Sequence, residues 1–167
     1  MDTTPDSAPV IDQRGLYADE LVIGARYRHR PGRTATEADN TLFSSLTMNT
    51  QALHLDAAYS AAHPFGERLM NSMWTLATMV GASVAQITQG TLVAQLGLTD
   101  VAFPAPLHHG DTLYTETEIR SVRSSASRPG QSVVTMGHTG RNQEDTVVAV
   151  ATRTVLMWST PPGEVHR

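Results

Sequence analysis

Seven histidines carry most of this chain's capacity for proton transfer near neutral pH, where imidazole ordinarily titrates. They are His29, His54, His63, His108, His109, His138 and His166. The pair His108-His109 invites a metal reading. Adjacent side chains rarely point at one ion, however, and no third ligand stands at a useful spacing, so we expect no metal and read both as surface or channel histidines. Other chemistries are excluded by composition. There is no cysteine, which removes thiolate nucleophiles, disulfides and thiolate-bound zinc or iron–sulfur clusters. All twelve basic residues are arginines, so neither a lysine Schiff base nor a lysine-bearing phosphate loop can form. By type alone, His54 is an ordinary loop histidine and Asn49 an ordinary turn or cap residue.

Any such residue needs a frame to hold it. At 167 residues, with 40% hydrophobic and 17% charged residues, the chain suits one globular domain. Its net charge of -4 and pI of about 5.9 predict no nucleic-acid or anionic-membrane partner, since both reward a basic surface. No apolar run approaches the ~20 residues that span a bilayer, and Met1 to Val10 lacks the pattern of a secretory signal, so a cytoplasmic location is expected. Residues 1–15, rich in Pro, Asp, Ser and Thr, read as a flexible arm, 16–158 as the domain, and 159–167 as a tail.

Within the domain the hydrophobic period changes. Tyr27 to Thr34 reads as a short strand interrupted at Pro31-Gly32. Thr34-Ala35-Thr36-Glu37 has the form of a capping box, opening a short helix through Asn40–Leu46. Leu46 to Leu55 reads as a loop, and Asp56 caps a helix that ends near His63-Pro64. From Leu69 to Thr88, apolar residues at Leu69, Met73, Leu76, Val80, Val84 and Ile87 recur at steps of three and four, while Met70, Trp74, Ala77 and Met79 widen the stripe. This predicts a long helix buried over most of its circumference. Beyond Gly90 the period is two: strands are expected at Thr91–Leu96, Thr112–Val122, Gln131–His138 and Thr146–Trp158, with a hairpin loop at Ser124–Gly130. One long helix followed by antiparallel strands is an α+β order, with the sheet wrapped around or packed on the helix, and a sheet with uncovered edges favours dimerisation.

Three segments then resemble one family. Asp39 to Tyr59, DNTLFSSLTMNTQALHLDAAY, is similar to the motif of MaoC-like (R)-specific enoyl-CoA hydratases. Phe65-Gly66-Glu67-Arg68 with Met70-Asn71-Ser72-Met73 resembles the start of that family's central helix. Pro106-Leu107-His108-His109-Gly110-Asp111-Thr112-Leu113 resembles its Gly-Asp-Thr-Leu strand entry. The resemblance spans about residues 36–157. It implies a hot-dog fold, an antiparallel sheet wrapped around a long central helix, usually dimeric. It also implies an acyl-coenzyme A substrate, with coenzyme A part of that substrate and no separate cofactor. The family histidine falls on His54. Its aspartate falls on Asn49, with Gln51 two residues on, and Thr-Met-Asn resembles the branch tied to mesaconyl- or itaconyl-CoA.

Hydrating a 2-enoyl thioester needs a base for water, a donor to C2 and hydrogen bonds to the enolate oxygen. The resemblance assigns the base to His54 and the oxyanion donor to the Ser72 amide, with Asn71 beside it at a helix start. An Asn49 amide cannot exchange a proton as a carboxyl does, though it can hold the attacking water. Either His54 moves both protons, or Asp39, Asp56 or Glu67 replaces the missing acid, or hydratase activity is lost; we favour the first. The arginine cluster Arg120, Arg123 and Arg128 reads as a solvated edge, with a coenzyme A phosphate site as its functional alternative. Arg30, Arg33 and Arg68 are equal candidates for a substrate carboxylate. Two rival activities remain: a hot-dog acyl-CoA thioesterase, and a non-catalytic acyl-CoA-binding subunit.

Overall fold

A computed structural model describes residues 11–162. Residues 1–10 of the expected arm and 163–167 of the expected tail lie outside the described residues. At the arm's other end the Gly15 N–H donates to Gln89 O (2.7 Å) and the Leu16 N–H to Ile87 O (2.9 Å). A Cβ on Gly15 would stand 2.5 Å from Ile87 O, so only glycine lets the backbone lie this close.

Period-two patterning builds a five-stranded antiparallel sheet. Its strands are β1 (Arg26–Thr34), β2 (Leu92–Ala102), β3 (Thr112–Ser124), β4 (Gln131–Arg141) and β5 (Val147–Trp158), ordered β1-β3-β4-β5-β2. On β3, Leu113, Thr115, Thr117 and Ile119 are buried, and Tyr114, Glu116 and Glu118 between them are only half-buried on the opposite face. That is the expected alternation of a strand covered on one side. Among the described residues, four α-helices lie between β1 and β2: α1 (Glu37–Leu46), α2 (Ala52–Leu55), α3 (Ala57–Ala61) and α4 (Ser72–Ala82), the last continued by a π-helical turn, Val84–Thr88. Along its length α4 buries Trp74 and Met79 in a cluster with Leu113, Val148, Ala149 and Ala151. Beyond its carboxyl end, Ile87 packs on Ile119, Val134, Met136, Val155 and Met157. Each fully buried apolar side chain of this size contributes roughly 1.5–3 kcal/mol.

Several boundaries differ from the sequence reading. The capping box is Thr36 with Asp39, not Thr34 with Glu37. Thr34 is still in β1, its Oγ1 hydrogen-bonded to Thr112 Oγ1 at 2.8 Å, so the chain is free to turn only two residues later. The central helix begins at Ser72 rather than Leu69, because Leu69 bridges to His108 and the Met70 N–H donates to Leu107 O at 3.0 Å. Those two residues are apolar because they are buried in an extended segment, which the helical period cannot distinguish. Part of the expected loop Leu46–Leu55 is helical, forming α2, and β2 runs to Ala102 rather than Leu96 because it pairs along β5. The helix is also less enclosed than its composition predicts: Met73 is 48% exposed, and Ala77, Gly81 and Ala82 are exposed with it.

Candidate active site

The turn after α1 delivers the key histidine. Met48 takes a left-handed φ of 56°, and the Asn49 N–H donates to Ser44 O at 2.9 Å. Asn49 Oδ1 then accepts from the Gln51 N–H at 3.1 Å, a local turn of the kind Asn side chains make. Next comes α2, with His54 in its single turn. Asp56 ends α2 and caps α3, accepting from the Tyr59 N–H at 2.9 Å, as expected from the sequence.

The His54 ring is fixed from the other side of the site. Its Nδ1 lies 3.0 Å from Leu69 O. A carbonyl can only accept, so Nδ1 carries the proton and Nε2 keeps the lone pair. Two residues past Met70, α4 opens. Asn71 is its N-cap, with Oδ1 accepting from the Met73 N–H at 3.0 Å. Ser72 occupies the first helical position, where a backbone N–H has no acceptor within the helix and the helix dipole adds a partial positive charge.

These parts meet in one cleft of about 350 Å³, lined by Leu53, His54, Phe65, Leu69, Met70, Ser72, Thr75, Phe103, Pro104, Ala105, Pro106, Leu107 and Val148. Of the five residues singled out from the sequence, His54 and Ser72 line it. Asn71 is buried immediately behind the wall, 2% exposed. Asn49, half-buried, and Gln51, exposed, are not among the lining residues. Among the described residues no carboxylate and no arginine lines this cleft. The three candidate replacement acids are engaged elsewhere: Asp39 caps α1 and pairs with Arg33 at 2.5 Å, Asp56 caps α3, and Glu67 lies 2.9 Å from His108. Of the three arginine candidates, Arg33 holds Asp39, Arg68 pairs with Glu37, and Arg30 lies 4.8 Å over the Tyr114 ring. A larger groove, about 660 Å³, is lined by Arg26, Arg28, Arg30 and Arg141 among others, but its Glu116 already pairs with Arg26 and Arg28, and no histidine faces it.

Sequence reasoning missed Asn40. It is 1% exposed although it sits on a short surface helix. Its Oδ1 accepts from the Asn71 N–H at 2.9 Å. Its Nδ2 lies 3.0 Å from His54 O, 3.1 Å from Leu69 O and 3.0 Å from His109 Nε2. His109 is therefore an acceptor, in keeping with the downward push on its pKa from burial and from the Arg68 charge. No feature of the periodicity marks Asn40, since a polar residue in an amphipathic helix normally faces water.

Comparison with known proteins agrees with this architecture. The chain is 27% identical over 150 residues to beta-methylmalyl-CoA dehydratase of Chloroflexus aurantiacus, covering 89% of this chain and 42% of that one. It is 25% identical over 145 residues to mesaconyl-CoA hydratase of Haloarcula marismortui, covering 87% and 40%. A solved Mycobacterium tuberculosis protein with a double hot-dog fold superposes with a TM-score of 0.78 at 24% identity, covering 91% of this chain and 47% of that one. The chain thus spans about two fifths of the length of the curated relatives it matches. The fold is the hot-dog fold, and since the MaoC like domain matches residues 19–151, the chain belongs to the MaoC-like dehydratase family.

Proposed function

We propose that this protein reversibly adds water to a 2-enoyl-CoA thioester. The observation that carries this reading is the pairing, across one largely apolar cleft, of a His54 ring with Nε2 free to act as a base and the amide end of α4 at Ser72. His54 Nε2 takes a proton from water as the oxygen bonds to C3. Negative charge moves to the thioester oxygen, where the Ser72 N–H and the helix dipole stabilise it. The imidazolium then returns its proton to C2 on the same face, so a hydroxyl at C3 and a hydrogen at C2 are added syn. With no carboxylate on the cleft wall, His54 handles both transfers. Asn49 contributes by shaping the turn that carries His54. The similarity to a mesaconyl-CoA hydratase and a beta-methylmalyl-CoA dehydratase supports a short, branched or dicarboxylic acyl group.

The test is loss of enoyl absorbance with crotonyl-, mesaconyl- and itaconyl-CoA, alongside an assay for free coenzyme A. Hydration without thiol release supports the reading. Thiol release without hydration favours a thioesterase, which the lack of a cleft carboxylate argues against. Binding without turnover favours a non-catalytic subunit.

The working unit in this proposal is a homodimer in the cytoplasm. β2 is a sheet edge carrying Leu96 and Leu98, 53% and 40% exposed. Unpaired strand edges with apolar side chains bind another strand readily. A Leu96→Arg substitution should shift the sedimentation coefficient toward that of a monomer; an unchanged dimer would count against this surface. No helix among the described residues is long and apolar enough to cross a membrane.

A further inference from the structure

We propose that Asn40 is a positioning residue that sets the reacting geometry, a role that rests on the hydration reading above. One carboxamide reaches both halves of the site. Its Oδ1 receives the Asn71 N–H, which fixes the amide's orientation because a backbone N–H can only donate. Nδ2 must then face outward to three acceptors: His54 O on α2, Leu69 O on the segment before α4, and His109 Nε2. Three acceptors share two hydrogens, so at least one hydrogen is divided between neighbours.

Leu69 O is the point of convergence. It accepts from Asn40 Nδ2 at 3.1 Å and from His54 Nδ1 at 3.0 Å, which uses both of its lone pairs. Asn40 therefore holds the carbonyl that selects the His54 tautomer, holds the backbone of the residue bearing that ring, and holds the cap residue adjoining the Ser72 amide. The base and the oxyanion donor come from segments 18 positions apart, residues 54 and 72, and Asn40, which belongs to neither, is bonded to both. Asn40 itself does not line the cleft. A displacement of about 1 Å between base and oxyanion donor is enough to cost about 10²-fold in rate. Asp is the discriminating substitution. It keeps an acceptor for the Asn71 N–H but turns the other oxygen toward His54 O and Leu69 O, where no proton is left to share.

The experiment measures Asn40→Asp and Asn40→Ala on whichever enoyl thioester the wild type hydrates, with ring nitrogen NMR of His54 in each. Expected are a fall in kcat of about 10²-fold with KM within about threefold, and a His54 ring that no longer holds its proton solely on Nδ1. Ser132→Ala, which removes a buried hydroxyl paired with Ser159 Oγ far from the cleft, controls for destabilisation and should leave kcat unchanged. Folded Asn40 variants with wild-type kcat, or an unaltered His54 ring spectrum, would overturn the proposal. Should neither variant fold, exchange of the Asn40 side-chain amide hydrogens in the wild type decides: protection supports the clamp, and exchange at the rate of a surface amide refutes it. A wild type that hydrates nothing defeats the functional reading, while the tautomer and exchange measurements still judge Asn40.

Discussion

The two ends of the central helix hold histidine networks of opposite kinds. At the amino end, His54 gives its Nδ1 proton to Leu69 O and presents a ring edge to a cleft. Beyond the carboxyl end, His29, Thr117 and His138 form a closed chain. The His29 Nδ1–H donates to Gln86 Oε1 at 2.9 Å, and His29 Nε2 accepts from the Thr117 hydroxyl at 2.8 Å. That hydroxyl in turn accepts from the His138 Nδ1–H at 2.8 Å. Followed through, the donors run out at His138 Nε2, which is buried without a partner. Both rings keep a free lone pair. Access separates them first: His138 is 1% exposed and sits near the Arg153 and Arg120 charges, so burial first, then those charges and His29, push its pKa down to about 3. A base must be reachable by water as well as unprotonated. The buried ring meets only the second condition.

The comparison breaks most sharply at the two rings themselves. His54→Ala should cut the hydration rate by about 10²–10⁴-fold while leaving the circular dichroism spectrum intact. His138→Gln should lower the melting temperature yet leave kcat within a few-fold of wild type. Equal losses of kcat in the two variants would mean that the cleft is not where the chemistry occurs.

How far the sequence revealed this contrast depends on what each network needed. His54, Asn71 and Ser72 lie in short contiguous motifs, and the family resemblance of those motifs brought them forward. A period of two puts Thr117 on one face with Leu113 and Ile119, and the structure buries that face. His29 and His138 reach Thr117 from β1 and β4, and strand pairing between distant segments leaves no local trace. Asn40 was invisible because its partners on α2, before α4 and before β3 are distant in sequence, and a polar helix residue normally faces water. Met73 and Ala77 show the converse limit: an apolar period reports that a face is to be covered, and cannot say whether the cover comes from the same chain. The Asn49 correspondence located a turn, while the cleft wall turned out to be apolar where a second proton carrier was sought.

A smaller effect sharpens the comparison through pH. His138 titrates at about 3 in the fold against an ordinary value of 6.5, and burial lowers the His29 pKa as well. Between those limits the unfolded chain binds more protons than the native one. Stability is therefore complete above about 6.5 and falls as the pH is lowered through that window, by up to about 1.4 kcal/mol per unit for one fully linked group. Arg153 adds to the cost of charging this region. It is 3% exposed, its Nε–H donating to Gln95 Oε1 at 2.7 Å, and it lies beside Ser83 at the helix carboxyl end, where the dipole favours a cation. Melting curves between about pH 7 and pH 4 should show this slope, and His138→Gln should flatten it. An unchanged slope would place the acid-sensitive group elsewhere.

The smallest expected effect lies at the amino end and distinguishes a backbone donor from a side-chain one. If the Ser72 N–H stabilises the developing charge, its hydroxyl is dispensable, and Ser72→Ala should keep the hydration rate within about threefold of wild type. A bulkier group at the same position fills the cleft in front of that amide, so Ser72→Leu should raise KM and lower kcat although the same N–H is present. The pair of variants separates the two ways a serine can act. A large loss in Ser72→Ala would shift the oxyanion contact from the peptide to the hydroxyl, and the helix start would then matter for where it puts a side chain rather than for the dipole it carries.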